Sequence, residues 1–409
     1  MVNKMIVASL ICVCWLPAYA TNMHAEIRQK MQFSQHQKFS SDNEHLWLQR
    51  WLFSMQLDLS EQISLFTEPV FAFDSGRRGG SSAAEQNEGD VNQLYLVLHH
   101  EGSALTIGRQ VLAFGNQRLI GKREGTNVRR RFDTLKLDTV YADTQITLYH
   151  AYHVNTELGA VNDSADKNWF VSGISQVWQH NVQRGTTVLS WHLLRYRDRR
   201  HQLNESRYAF EVNWQYAYDS LSTELEGIYQ WGNWWQPEPQ NKQQLQAYWL
   251  FSKASIVLHP NASAYLGASL ASGDRDPTDT ENTTFQPLFG KAPLYSEAGI
   301  FAPGNLYSYF AGMEWQLHTE TALNLEFQSL NRQYRQDAIY SPGRNILLPA
   351  YQAESAHIAN IITLRASVPW GQYLTFEIAA SHLHAMHALS EYTGQRSSLF
   401  AEIGFNIRF

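Results

Sequence analysis

The sequence contains almost no cysteine. Of 409 residues only Cys12 and Cys14 are cysteines, and both lie in an N-terminal stretch typical of a secretory leader. Lys4 makes the start of this stretch positive, an apolar run follows from Met5 to Leu16, and Ala18-Tyr19-Ala20 has the small-x-small pattern of a cleavage site. We therefore predict a cleaved signal peptide over residues 1–20. The mature chain, 21–409, then has no disulfide and no cysteine-bound metal.

Long apolar runs are also lacking beyond the leader. No stretch approaches the roughly 18 residues that a membrane helix requires, and no linker, internal repeat or N-terminal plug segment stands out. Aromatic residues make up 13% of the chain, with thirteen Trp, and the mean hydropathy is −0.38. This composition favours a membrane β-barrel, which presents alternate residues to lipid and to water. A large secreted all-β protein is the alternative, and the net charge of −6 does not separate the two.

Apolar and polar residues alternate along most of the chain. In the last segment, apolar side chains occupy every second position from Leu399 to Phe409, while Glu402, Asn406 and Arg408 occupy the other face. The segment from Ser206 to Tyr216 has the same pattern. In a membrane barrel the apolar face would meet lipid and the polar face would line a wet lumen.

Connection lengths favour the barrel. The connections after even-numbered candidate strands are one or two residues long, whereas those after odd-numbered strands are mostly long. This alternation is typical of short periplasmic turns and long external loops. We therefore predict an all-β, transmembrane antiparallel barrel of about eighteen strands. The candidate strands are 25–36, 44–58, 60–74, 91–100, 103–112, 131–141, 143–154, 167–181, 184–197, 203–218, 220–235, 242–258, 260–272, 304–317, 320–334, 352–369, 372–387 and 395–409.

The same alternation assigns the charged side chains of the lumen. The inward cations are predicted to be Arg28, Lys30, Arg50, Arg130, Lys136, Arg207, Arg365 and Arg408. The inward anions are Glu26, Glu68, Asp138, Glu211, Glu224, Glu226, Glu314, Glu326, Glu377 and Glu402. A one-residue error in register would reverse any of these assignments. The cations gather near the closing seam, which would create a transverse field for a charged solute. Alternatively, the charges pair with one another and stiffen the wall.

Three blocks of sequence resemble the alginate export family of Gram-negative outer membranes. They are Leu105 to Asp133, which contains Gly-Arg-Gln and Arg-Arg-Arg-Phe-Asp, then Ala271 to Phe289, which contains Ser-Gly-Asp-Arg-Asp-Pro, and the closing strand. The resemblance implies an eighteen-stranded barrel whose lumen arginines contact an anionic uronate polymer. Carried over by position, it marks Arg109, Arg118, Arg130 and Arg131 as substrate-contacting residues.

Arg109 presents a conflict of parity. It shares a strand face with Leu105, Ile107 and Val111, which would point it at lipid. A bulge at Gly108 would turn the side chain inward, and a position beyond the bilayer edge would remove the conflict.

Other charged groups suggest weaker sites. Arg195, Arg197, Arg199 and Arg200 crowd one loop tip, where they are either solvated or bound to lipopolysaccharide phosphates. A calcium site is conceivable at Asp274, Asp276, Asp279 and Glu281, although the spacing misses the EF-hand pattern, and the stretch also fits a polar loop. A transition-metal site is conceivable at His382, His384 and His387.

The sequence therefore predicts a passive outer-membrane porin for anionic oligo- or polysaccharides, with no cofactor and no nucleic-acid partner. Its other partners would be outer-membrane lipid, lipopolysaccharide and the barrel-assembly machinery, which would recognise the closing strand that ends at Phe409. A general diffusion porin is one alternative. A barrel enzyme is another, although the chain has no Gly-x-Ser-x-Gly motif and offers only His201 and His387 near loops as bases.

Overall fold

The computed structural model describes residues 20–200, 205–236, 241–291, 293–317, 320–343, 345–352 and 354–409. Apart from Ala20, the predicted signal peptide lies outside these residues, and Ala20 is the first residue of the first strand. Within the described residues, no helix is both long and apolar enough to cross a membrane.

Eighteen antiparallel strands form the wall across the described ranges. They are β1 (Ala20–Gln35), β2 (Glu44–Ser60), β3 (Ile63–Ser75), β4 (Asn87–His100), β5 (Ser103–Gln110), β6 (Phe132–Tyr141), β7 (Thr144–Asn155), β8 (Ser164–Val182), β9 (Gly185–Asp198), β10 (Glu205–Tyr218), β11 (Leu221–Gln236), β12 (Asn241–His259), β13 (Ala262–Ala271), β14 (Leu306–Gln316), β15 (Ala322–Arg332), β16 (His357–Trp370), β17 (Leu374–Ala385) and β18 (Ser397–Arg408). Each overlaps one predicted strand, so the predicted barrel is confirmed.

Each strand pairs with its neighbours in the chain, and β1 pairs with β18 from Glu26↔Arg408 to Gln35↔Leu399. This last ladder closes the sheet and leaves no open edge, which a membrane requires because lipid offers no hydrogen bonds to an unpaired backbone. The short turns are tight. At Glu101-Gly102, for example, both residues have positive φ, as the commonest two-residue hairpin turn demands.

The side chains alternate as predicted. The outer face carries exposed apolar residues such as Trp51, Phe327 and Ile403, while polar and charged residues of the same strands point inward. The long loops pack inside the barrel and bury these inward side chains. A short helix, α1 (His387–Thr393), lies in the loop between β17 and β18.

Two loops fill one side of the lumen: L3 (111–131) after β5 and L7 (272–305) after β13. Leu119, Ile120 and Phe289 from these loops form an apolar cluster with inward residues of β6 to β13, among them Leu194 and Ile228. The expected wet lumen is therefore wrong for this part of the barrel, because small and apolar inward residues here pack against the loops. A second apolar cluster covers the outer mouth near β14 to β17 and includes Phe39, Phe301, Ile339 and Leu389.

Candidate functional site

L3 and L7 are joined to each other inside the barrel. The backbone N–H of Gly121 donates to the carbonyl of Phe289 at 2.9 Å, and the N–H of Phe289 donates to the carbonyl of Leu119 at 2.8 Å. Farther along, the N–H of Lys291 donates to the carbonyl of Gln117 at 2.6 Å. The two loops therefore form one unit that crosses the lumen, and the charges on this unit face those on the wall.

On the seam side, a carboxylate of L3 bridges the wall arginines. Glu124 Oε1 lies 3.4 Å from Arg28 Nη1 and accepts a short hydrogen bond from Arg50, while Arg50 Nη2 also lies 2.5 Å from Glu26 Oε1. Arg28 and Arg50 are directly paired across β1 and β2. Without these carboxylates the two buried like charges would repel each other.

L3 is fixed at the seam by Arg28 and Asn127 as well. Arg28 donates to the carbonyls of Glu124 and Thr126 at 2.9 and 2.8 Å. Asn127 donates to backbone carbonyls of β2, β3 and the second external loop, at Gln49, Phe73 and Glu85. L3 is thus attached to the first strands of the barrel by both backbone and side-chain contacts.

The three consecutive arginines of L3 have three different surroundings. Arg129 joins the seam network, with Nε 2.7 Å from Glu124 Oε2 and weaker contacts to Glu26 and Glu68. Arg131 is fully buried and its Nη2 lies 2.6 Å from Asp163 Oδ2, so it anchors L3 to the fourth external loop. Arg130 lies at the junction of L3 and L7. Sequence reasoning missed Arg129, although it stands in the same motif.

Arg130 has an aromatic surrounding. Its guanidinium carbon lies 5.1 Å from the ring centre of Phe289. The Phe289 ring stacks on His153 at 5.5 Å, and His153 in turn lies 3.7 Å from Trp169. Burial, together with the charge of Arg123, lowers the pKa of Arg130 to about 9, so the side chain remains a cation at neutral pH. We call Arg130, Phe289, His153 and Trp169 the junction cluster.

Among the described residues, Arg130 has no ion-pair partner, and its buried Nη1 has no hydrogen-bond partner. Arg200 lies over Trp169 at 3.4 Å, but its guanidinium is held by Asp198 at 2.6 Å. Arg123 adds a further positive charge, and its pKa is lowered by burial to about 10. The junction cluster is therefore electropositive and lined by flat aromatic faces.

Arg118 faces an acidic part of the wall. It lies over Trp249 at 4.8 Å and over Phe251 at 5.2 Å, and its Nε is 3.6 Å from Glu226 Oε2. Asn116, nearby on L3, donates to Glu224 and Glu226 at 2.6 and 2.9 Å. L3 thus connects the basic seam with the carboxylates of β11.

Below the loops, a cavity of about 560 Å³ lies in the lumen near the periplasmic turns. Arg365 on β16 is the main cation of this cavity. Its Nε lies 2.6 Å from Oε1 of Glu297 in L7. Lys30 of β1, also in the lining, is paired with Glu402 of β18 at 2.7 Å. Here too the wall cations are neutralised by carboxylates. This agrees with the second interpretation of the sequence, in which the lumen charges pair with one another and stiffen the wall.

Three further predicted site residues lie apart from these loops. Lys136 pairs with Asp138 on the same strand face, at 2.7 Å, and Arg408 is 71% exposed near Glu26. Arg109 keeps regular pairing through Gly108 and shares its face with the exposed Leu94 and Ile107. Its Nε bonds Asp133 at 2.8 Å. Its Nη1 lies 3.3 Å from the carbonyl of Asp163 and 3.6 Å from Asp90 Oδ1, and the side chain is 15% exposed. Arg109 therefore keeps the outward parity of its strand without a bulge, while acidic residues at the external end of the wall hold its guanidinium.

The metal candidates do not converge in the described residues, where no group of three or more His, Cys, Asp or Glu side chains is arranged to hold an ion. Asp274 accepts the N–H of Asp276 at 3.1 Å and lies in the contact between L7 and the next long loop, L8 (333–356). His382 and His384 are exposed on β17, and His387 pairs with Glu391 at 3.2 Å. His201, considered as a base, lies outside the described residues.

A closed, loop-constricted barrel of this kind is an outer-membrane channel of the porin type. The sequence model of the alginate export family matches residues 19–400, and the chain belongs to that family. It is therefore a protein of the Gram-negative outer membrane. A search of curated protein sequences gave no match.

Solved structures with the same fold include porins of Pseudomonas aeruginosa. The outer membrane protein OpdK has a TM-score of 0.66 at 10% identity and covers 96% of this chain and 99% of its own. OccK8 (OprE) has 0.64 at 9% identity, over 95% and 98%. OccK2 (OpdF), solved in complex with glucuronate, has 0.62 at 10% identity, over 95% of both chains. At these identities the likeness concerns the fold alone.

Proposed function

We propose that this protein is a passive channel, not an enzyme, through which anionic oligo- or polysaccharides of the uronate type cross the outer membrane. We also propose that the junction cluster is where a uronate carboxylate binds during passage. The observation that carries the proposal is the contrast between Arg130 and most of the inward arginines of the wall. Arg28, Arg50 and Arg365 are each held by a carboxylate of the protein, whereas Arg130 has none within the described residues.

An arginine suits this task because its planar guanidinium can grip a carboxylate with two parallel hydrogen bonds and stays charged. Arg130 is partly buried, so its charge is screened less than it would be in open water. Nη1 is buried, so a carboxylate can bond it only after a movement of the side chain, and it would then supply the hydrogen bond that Nη1 lacks.

The aromatic rings beside Arg130 hold it in place and supply one contact for a sugar. Phe289, His153 and Trp169 form a continuous stack. Phe289 and His153 are buried in this stack, so the partly exposed Trp169 is the ring that a pyranose can reach. Binding sites for small ligands usually combine such apolar walls with a few oriented polar groups. Arg118, which lies over Trp249, repeats the combination closer to the acidic wall.

A similarly folded porin supports the substrate class by analogy. OccK2 was solved in complex with glucuronate, a sugar that carries one carboxylate. That protein is 10% identical to this chain, and its ligand makes a uronate the first solute to test.

The experiment is single-channel conductance of the refolded protein in a planar bilayer. Oligomannuronate is titrated against a neutral oligosaccharide of equal length, with Arg130→Gln and Arg118→Gln compared with the wild type. We expect block by the anionic sugar alone, with half-blocking concentrations about tenfold higher in Arg130→Gln, since one charge-assisted contact is worth about 1.5 kcal/mol or more. Arg184→Gln, an exposed change at a periplasmic turn, is the matched charge control.

The competing function is a general diffusion porin without a preferred solute, which the balanced charges around the lumen favour. In that case both sugars would leave the current equally unaffected, and Arg130→Gln would behave like Arg184→Gln. Arg109→Gln tests the family resemblance against strand parity as a guide to the binding residues. The family resemblance predicts weaker block, whereas the outward position of Arg109 predicts no change.

A further inference from the structure

The outer surface of β9 carries a row of arginines at its external end. Leu189 and Leu193 face lipid along this strand, with 39% and 37% of their surface exposed. Arg195 and Arg197 continue the same face, because side chains alternate along a strand. Arg199 follows directly after the strand and is exposed. Positive charge thus begins on the outside of the barrel just where the apolar surface ends.

Among the described residues, no carboxylate lies directly across from Arg195 on the neighbouring strands. Arg195 is flanked by Ser172 of β8 and Tyr208 of β10, and its guanidinium lies 5.9 Å from the Tyr208 ring centre. Arg197 is flanked by Phe170 and Ser206. The nearest acidic residue of the strand, Asp198, belongs to the inward face, where it holds Arg200.

A shallow groove continues this patch toward β12. Its floor contains the stacked rings of Tyr208 and Trp231, whose centres are 5.6 Å apart, and Tyr229, which is 5.8 Å from Trp231. Its remaining lining includes the amide side chains of Asn233, Gln244 and Gln246. The groove therefore combines aromatic faces with hydrogen-bonding amides, next to the arginine row.

We propose that this outer patch binds the phosphorylated glucosamine headgroup of lipid A, the membrane anchor of lipopolysaccharide. A phosphate monoester offers three strong acceptor oxygens to the exposed Arg195 and Arg199, and arginine pairs with phosphate in a bidentate manner. The sugar hydroxyls and amides of the headgroup face the amide side chains of the groove. Aromatic rings are favoured at this depth because they sit at the boundary between lipid and headgroups.

The location selects this ligand over other anions. The arginines face away from the lumen, so a solute in transit does not meet them. They lie at the end of the barrel where the long loops are, and this end faces the outer leaflet. A free phosphate ion would share the charge chemistry but would gain nothing from the aromatic groove.

The test measures binding of lipid A to the detergent-purified, lipid-free barrel by native mass spectrometry. Bis-phosphorylated lipid A is compared with lipid A from which both phosphates have been removed. We expect the phosphorylated form to bind at least tenfold more tightly to the wild type, and the double variant Arg195→Gln/Arg199→Gln to lose that preference. Arg184→Gln, which removes one cation from the opposite end of the barrel, should keep it.

Two further measurements complete the design. Inorganic phosphate at millimolar concentration should not displace lipid A, and displacement would show a simple phosphate site. Trp231→Ala should weaken binding of both lipid A forms several-fold, because it removes groove surface and no charge. The proposal would be overturned if the double variant bound phosphorylated lipid A as tightly as the wild type does. Heat-modifiable electrophoresis serves to show that both proteins are folded.

Discussion

Removing the Glu124 carboxylate should release L3 from the seam. Glu124→Gln keeps the size of the side chain and deletes the charge that Arg28, Arg50 and Arg129 share. Breaking a fully buried ion pair costs about 3–5 kcal/mol, but the Glu124 side chain is 41% exposed, so we discount this to about 2 kcal/mol. At about 1.4 kcal/mol per factor of ten, the undocked population of L3 should rise about thirtyfold.

The pKa of Glu124 determines how its contacts with L3 and the seam depend on pH. Burial alone would raise it, but the hydrogen bond from Arg129 and the charges of Arg50 and Arg28 outweigh burial and hold the pKa far below its ordinary value. For a carboxylate with a depressed pKa, the stabilisation is complete above the ordinary value of about 4.3 and is lost only as pH falls toward the depressed one. The contribution of Glu124 to the docking of L3 should therefore not change between pH 8 and pH 5.

The assay is the current noise of single channels, in which movement of L3 appears as brief changes of conductance. Glu402→Gln is the matched control, because Glu402 pairs with Lys30 on the wall and holds no loop. We expect frequent transitions in Glu124→Gln and few in Glu402→Gln. If both variants show the same noise and the same mean conductance as the wild type, Glu124 does not fix L3 and the reasoning is refuted.

Three other changes follow from the loop contacts. Glu297→Gln should leave Arg365 with Asn324 and the more distant Glu326 as partners. It should lower the half-blocking concentration of an anionic oligosaccharide about threefold, measured by conductance, and unchanged block would argue against Arg365 as a second contact. Asp163→Ala leaves Arg131 buried without its charge partner and should cost about 3–5 kcal/mol, seen as a lower unfolding temperature in heat-modifiable electrophoresis. Burial raises the pKa of Asp274 to about 6, so the contact of L7 with L8 should tighten as pH falls from 7 toward 4, and hydrogen exchange at residues 272–285, corrected for intrinsic rates, should slow. Asp274→Asn should weaken this dependence without abolishing it, because burial also raises the pKa of Asp337 in the same contact.

The barrel could be predicted because its rule is local. Each strand reports its own inward and outward faces through a period of two, and a turn of two residues fixes which strands are neighbours. Arg28, Arg50 and Arg365 were therefore placed in the lumen correctly. The parity of Arg109 also predicted its place on the outer face of the strand, and the binding role that the family resemblance implies for it stays a prediction.

The partners of these lumen residues could not be predicted, because they come from loops that have no period. Arg28 and Glu124 are 96 residues apart in the chain, and nothing near either one indicates their contact. The same holds for the apolar interior. The polar pattern of the inward face is interrupted on β7 to β12 by alanine, valine and leucine residues such as Ala151 and Leu194. These apolar positions are explained by the packing of L3 and L7 against them, which the strand pattern does not predict.

The anchoring of L3 at the seam has a consequence for the order in which the barrel is assembled. Arg28 and Arg50 stand side by side on β1 and β2, and β1 must also receive β18 in the last pairing step. If β18 closed the wall while L3 was still outside, two adjacent arginines would be enclosed with only part of their neutralising charge. Entry of L3 before or during closure would avoid that unfavourable enclosure, and the loop that narrows the finished channel would then also help to complete its wall.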